Sequence, residues 1–137
     1  MSLEIERTER EGIVILHANG RLIVGQPVSY LRDTISSLST EGNNNVVLDL
    51  KGVDYIDSTG LGGLVICFTT LQKAGGALKL VNLNRRNIEL LVLTKLSTVF
   101  ETFENEQDAV NSFFPTREIK KFDILSFVQQ QEGDWSE

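Results

Sequence analysis

Short apolar runs and apolar stripes at helical spacing take turns along this chain. Residues 3–7 and 13–18 read as two strands, with the polar stretch 9–12 as the turn between them and Asn19-Gly20 closing the second. Pro27 suits the first turn of a helix, where its missing N–H leaves no bond unmade. Val28, Leu31, Ile35 and Leu38 follow on one face of that helix, and Gly42-Asn43-Asn44-Asn45 stops it. Residues 46–50 are nearly all apolar, as in a strand covered on both faces. A second stripe starts at Ser58, runs through Leu61, Leu64, Val65, Phe68 and Leu71, and ends near Gly75-Gly76. Residues 77–81 read as another buried strand, and Ile88, Leu91, Val92 and Leu96 as a third helix. A last short strand is expected over 99–103, and a fourth helix carries Ala109, Val110, Phe113 and Phe114 up to Pro115.

The element order is therefore β-β-α-β-α-β-α-β-α. It predicts an α/β fold whose mixed, mostly parallel sheet has about five strands and about four helices, with the opening hairpin as an antiparallel edge. Residues 1–115 make one domain on this reading, and 116–137 a C-terminal tail. The tail sets Ile119, Phe122, Ile124, Leu125, Phe127 and Val128 among charges and a Gln129-Gln130-Gln131 run. An amphipathic helix is expected there, docking on the body or on a second copy as a homodimer contact.

Composition narrows the function classes. The chain has 137 residues, 41% of them hydrophobic and 23% charged, enough for a conventional core. Its formal charge of −6 argues against nucleic acid as a partner, because binding a phosphate backbone needs a basic footprint. Apolar runs such as 61–68 are broken by glycines and too short to span a membrane, and the first residues lack the pattern of a signal peptide. One cysteine, Cys67, forms no internal disulfide, which agrees with a cytoplasmic location.

The sequence carries no recognisable catalytic or metal-binding motif. His17, the single histidine, lies inside an expected strand and reads as a half-buried strand residue. Two-histidine and thiolate-rich metal sites are excluded by count, so no metal or cofactor is expected. Ser58 sits outside a Gly-x-Ser-x-Gly elbow, and Gly60-Leu61-Gly62-Gly63 matches neither a phosphate-binding loop nor a dinucleotide fingerprint. Cys67 reads as a small buried hydrophobe. The expectation is a protein that is not an enzyme.

Ser58 draws attention because it follows an apolar strand and opens a helix. Asp57 or Ser58 is suited to cap that helix, and on spacing alone capping is the stronger reading. Gly60, Gly62 and Gly63 in the first turns cost about 1 kcal/mol each relative to alanine. They are expected to leave the helix start bare, so that another protein approaches the backbone and the hydroxyl closely. Ile56, Leu61 and Leu64 are expected to add apolar contact around that hydroxyl.

The run Asp57-Ser58-Thr59-Gly60-Leu61-Gly62 resembles the Asp-Ser-Ser/Thr-Gly-Leu-Gly signature of bacterial anti-sigma factor antagonists, which are built on the STAS domain. The likeness extends to Gly20-Arg21-Leu22, Leu31-Arg32, Val47-Leu48-Asp49-Leu50 and Ala74-Gly75-Gly76-Ala77-Leu78-Lys79-Leu80, covering about residues 3–114. It implies partner switching. The unphosphorylated antagonist would bind an anti-sigma factor that is also a serine kinase, phosphorylation of Ser58 would dissolve the complex, and a serine phosphatase would restore it. Partner contacts are then expected at Asp57, Ser58, Thr59, Gly60, Leu61, Gly62 and Gly63, and at Arg21, Leu22, Ile23 and Val24. Ile23 departs from the family, where an acidic residue often follows the Gly-x-Leu element. The competing reading is a constitutive STAS scaffold or accessory subunit of a transporter or stress-signalling complex, with Ser58 as cap or contact only. Binding of a nucleotide or small ligand near residues 20–25 and Ser58 is a third reading.

Overall fold

Glu11 and Gly12, with φ of 56° and 85°, turn β1 (Glu4–Arg10) back onto β2 (Ile13–Leu22). Two successive positive φ angles give a two-residue hairpin whose twist matches that of its strands. The computed structural model describes residues 3–118 and 122–130. β1 is longer than the polar stretch 9–12 suggested, since Thr8, Glu9 and Arg10 pair with Ile15, Val14 and Ile13. An edge strand that leaves most side chains in water carries no apolar signature. β2 likewise continues past Asn19-Gly20. Register shifts there absorb the irregularity, and Gly20 takes a φ of 122°.

The remaining elements are α1 (Gln26–Thr40), β3 (Asn45–Ile56), α2 (Ser58–Lys73), β4 (Ala77–Val81), α3 (Arg85–Leu93), β5 (Glu101–Phe103), α4 (Glu106–Asn111) and α5 (Ile124–Gln130). The sheet order is β1-β2-β3-β4-β5, antiparallel between β1 and β2 and parallel elsewhere. The expected α/β architecture is thus the observed one, with a fifth helix supplied by the tail. Four boundaries differ from expectation besides those of β1 and β2, one of them the end of α3 at Leu93, which leaves Leu96 beyond the helix. β3 extends to Ile56, β5 is confined to three residues, and Phe113 and Phe114 lie beyond the end of α4.

Each helix covers the sheet with the stripe that its spacing laid down. Leu31, Ile35 and Leu38 of α1, Leu64 and Leu71 of α2, and Ile88 and Leu91 of α3 meet Leu16, Leu48 and Leu80 in the larger core. On the opposite face, Ile13, Ile15, Val47, Val81 and Phe103 are covered by Ala109 and Val110 of α4, with Phe113 and Phe114 alongside. Lys79 is buried beneath α4, its Nζ 2.7 Å from Ser112 Oγ and 4.4 Å from the Phe113 ring centre.

The tail docks on the body of its own chain. Phe122 N–H donates to the Thr102 carbonyl at 3.0 Å, and Ile124, only 5% exposed, joins the larger core. Leu125 stays exposed. Ile119 and the stretch 131–137 lie outside the described residues.

Candidate functional site

The parallel pairing of β2 with β3 brings two loops to one edge of the sheet. Arg21 lies opposite Tyr55 and Leu22 opposite Ile56, so residues 23–25 run beside the start of α2. Asp57 ties the two together. One carboxylate oxygen accepts the Gly60 N–H at 2.7 Å, which makes Asp57 the N-cap of α2. The other accepts the Val24 N–H at 3.0 Å. Asp57 N–H in turn donates to the Leu22 carbonyl at 3.2 Å, and its own carbonyl takes the first helical bond from Leu61 at 2.9 Å.

With the cap supplied by Asp57, Ser58 is left as the first helical residue. Ser58 and Thr59 are exposed, and the Ser58 hydroxyl has no hydrogen-bond partner among the described residues. N–H groups in a first helical turn lack intrahelical acceptors and carry the positive end of the helix dipole. The site therefore presents a free hydroxyl on a locally positive backbone, between a fixed carboxylate and a short loop.

The glycines act differently from expectation. Gly60 and Gly63 face inward, and only Gly62 is open. A Cβ on Gly60 would fall 2.0 Å from the Leu22 carbonyl oxygen, so this glycine lets the helix start lie directly against the end of β2. A Cβ on Gly63 would meet Val28 Cγ1 at 3.0 Å, and one on Gly62 would meet nothing within 4 Å. Ile56, Leu61 and Leu64 are likewise core residues and not a collar around the hydroxyl. Leu22, Gly60, Leu61 and Gly63 thus shape the site from beneath.

What faces outward is a narrower set. Arg21, Ser58, Thr59 and Gly62 are exposed, and Ile23 is half-buried. Val24 is 64% exposed, a large fraction for an apolar side chain. Tyr55 stands on the strand edge with the Arg86 guanidinium 5.6 Å from its ring centre, and Ile66 is exposed farther along α2. Ser58, Gly62 and Ile66 are four residues apart and so share one helical face.

Two other candidates take definite places. Burial pushes the Cys67 thiol up to about 12, which keeps it protonated and unreactive in the fold. His17 is half-buried as expected, but it has partners that strand position alone does not reveal. Its Nδ1 is 3.1 Å from Asp49 and its Nε2 3.1 Å from the Thr8 hydroxyl. No described helix is long and apolar enough to cross a membrane.

Comparison with known proteins gives a consistent picture. The family model of the STAS domain matches residues 4–109. The anti-sigma-B factor antagonist of Bacillus subtilis (strain 168) is 32% identical over 111 residues, which are 80% of this chain and 99% of that protein. A crystal structure of an anti-sigma factor antagonist from Mycobacterium paratuberculosis shares 20% identity with a TM-score of 0.69, covering 80% of this chain and 92% of the other. The Bacillus cell fate determinant SpoIIAA in its phosphorylated form shares 18% identity with a TM-score of 0.62, covering 81% and 98% respectively. The two structures, at such identities, speak for a shared fold.

Proposed function

The chain belongs to the STAS domain family, and from that membership we propose that it is an anti-sigma factor antagonist switched by phosphorylation of Ser58. In the unphosphorylated form it binds an anti-sigma factor that is also a serine kinase, which frees the sigma factor. Phosphorylation of Ser58 releases the complex, and a serine phosphatase resets it. The protein itself is a non-enzymatic cytoplasmic regulator, with neither nucleic acid nor membrane as partner. The name of the Bacillus subtilis relative supports the general role.

The observation that carries the reading is the division of labour between Asp57 and Ser58. Asp57 caps α2 and pins the Val24 loop, so the exposed Ser58 hydroxyl is not needed to hold the helix. A phosphate there adds about −1.5 to −2 charges. Within the chain, the N–H groups and dipole of the helix start offset that charge. In a closed interface the same group must be stripped of water beside the Asp57 carboxylate, at an effective cost of several kcal/mol. One covalent step therefore acts on the complex far more than on the fold.

Incubation with the cognate anti-sigma kinase and ATP, followed by intact mass, tests the assignment. One added phosphate is expected on the wild type and none on Ser58→Ala. Continued phosphorylation of Ser58→Ala would reject Ser58 as the site.

A further inference from the structure

A second constellation lies on the α4 side of the sheet. His17 of β2, Asp49 of β3 and Glu106 at the start of α4 each offer one ligand atom there, all within 4.8 Å of one another. His17 Nδ1 is 3.1 Å from Asp49 Oδ2 and 3.9 Å from Glu106 Oε2. We propose that these three side chains bind a first-row divalent cation, zinc foremost, clamping α4 to the sheet.

In each of the three groups the other polar atom is already engaged. Thr8 Oγ1 stands 3.1 Å from His17 Nε2, a partner able to accept from Nε2–H in the tautomer whose Nδ1 lone pair takes the cation. Asp49 Oδ1 accepts from Asn82 Nδ2 and from the Lys51 N–H, both at 3.0 Å, while Oδ2 faces His17 Nδ1. The Arg10 guanidinium lies 3.9 Å from Glu106 Oε1, and Oε2 turns toward His17. Outer partners of this kind fix tautomer and orientation around bound metals. Here they point three donors at one place.

The spacing suits the chemistry. Tetrahedral zinc bonds of about 2.0–2.2 Å set neighbouring donors roughly 3.3–3.6 Å apart, a little wider than the 3.1 Å between His17 Nδ1 and Asp49 Oδ2. Glu106, its side chain 24% exposed, closes the third side by a small rotation. One imidazole with two carboxylates favours zinc, manganese or iron over calcium and magnesium, which prefer all-oxygen sets. Asp49, 7% exposed, is a buried carboxylate for which a cation is a natural counter-charge. An open groove of about 520 Å³ bounded by Glu6, His17, Asn19, Asp49, Lys51 and Gly52 reaches His17 and Asp49 from solvent and gives room for metal-bound water. Counting histidines and cysteines removed only sites that need two of them, and so passed over this set.

The same atoms also satisfy a plain His17–Asp49 hydrogen bond, and calorimetry on the tag-free full chain separates the two. Titration with zinc chloride is expected to show one saturable site, with melting temperature rising as zinc is added. Glu106→Gln should weaken binding at least tenfold while leaving the circular dichroism spectrum unchanged, and His17→Gln should do the same. If His17→Gln fails to fold, the imidazole nitrogen resonances of the wild type decide: zinc should shift Nδ1 and leave Nε2 protonated. Absence of saturable heat, equal affinity in Glu106→Gln, or unmoved His17 resonances would overturn the site.

Discussion

Replacing Asp57 by alanine removes two acceptors at once, because its two oxygens serve the Gly60 N–H at 2.7 Å and the Val24 N–H at 3.0 Å. Loss of an N-cap costs about 0.5–2 kcal/mol. The Val24 bond, also to a charged oxygen but exposed, adds about 1 kcal/mol. Together they predict a destabilisation of about 1.5–3 kcal/mol. Unfolding entropy of about 2.1 cal/mol/K per residue over 137 residues converts this to a melting temperature lower by roughly 5–10 °C. Asp57→Asn keeps one acceptor, which caps well, and should lose only the Val24 bond, about 1 kcal/mol. Urea denaturation gives the energies, and amide exchange should speed up at both Val24 and Gly60 in Asp57→Ala but at Val24 alone in Asp57→Asn, whose single amide oxygen serves one N–H. A stability within about 0.5 kcal/mol of wild type, or unchanged protection at Val24, would refute the role of Asp57 as a two-sided clamp.

Four further outcomes are expected. Gly60→Ala, whose Cβ would lie 2.0 Å from the Leu22 carbonyl oxygen, should cost about 3 kcal/mol in a urea melt. Gly62→Ala meets nothing within 4 Å and should gain about 0.5–1 kcal/mol, while weakening anti-sigma factor binding several-fold if α2 presents this face to the partner. The Cys67 thiol, raised to about 12 by burial, ionises in the unfolded chain well before it does so in the fold. Its contribution to stability therefore falls as pH rises from its ordinary value of 9.0 toward 12, and at pH 8 a disulfide reagent should label Cys67 only after unfolding. Ile124→Ala should cost about 2–4 kcal/mol, showing the tail to be part of the folded body. Sedimentation of the wild type would reveal whether the exposed Leu125 also joins two copies.

The alternation of strands and helices was readable because each helix carries one continuous apolar stripe. Leu31, Ile35 and Leu38, or Leu64 and Leu71, had only one way to face a core. β3 was legible at its apolar start, but its continuation to Ile56 rests on pairing with the end of β2, a contact between distant segments. Asn19-Gly20 carries the residues of a turn, and yet parallel pairing on either side holds it in the sheet through register shifts. Local propensity loses to tertiary context there.

The start of α2 was half legible. The capping residues and the exposed serine stood in the sequence, while the partition between them depended on the Val24 N–H, which only folding places near Asp57. The glycines were misleading for the same reason. Helix propensity treats Gly60 and Gly62 alike, whereas the Leu22 carbonyl leaves no space at one and solvent surrounds the other. His17, Asp49 and Glu106 come from three separate elements, and no spacing rule joins them. One clue was present in Asp49, an acidic residue inside the otherwise apolar run 46–50.

The central claim is that a phosphate on Ser58 abolishes partner binding without disturbing the fold. Titrating the cognate anti-sigma factor with the unphosphorylated chain and with the Ser58-phosphorylated chain tests it directly, with circular dichroism of both forms as the control. A dissociation constant at least about 100-fold weaker for the phosphorylated form, equivalent to about 2.7 kcal/mol, is the predicted result. Equal affinity of the two forms would contradict the account.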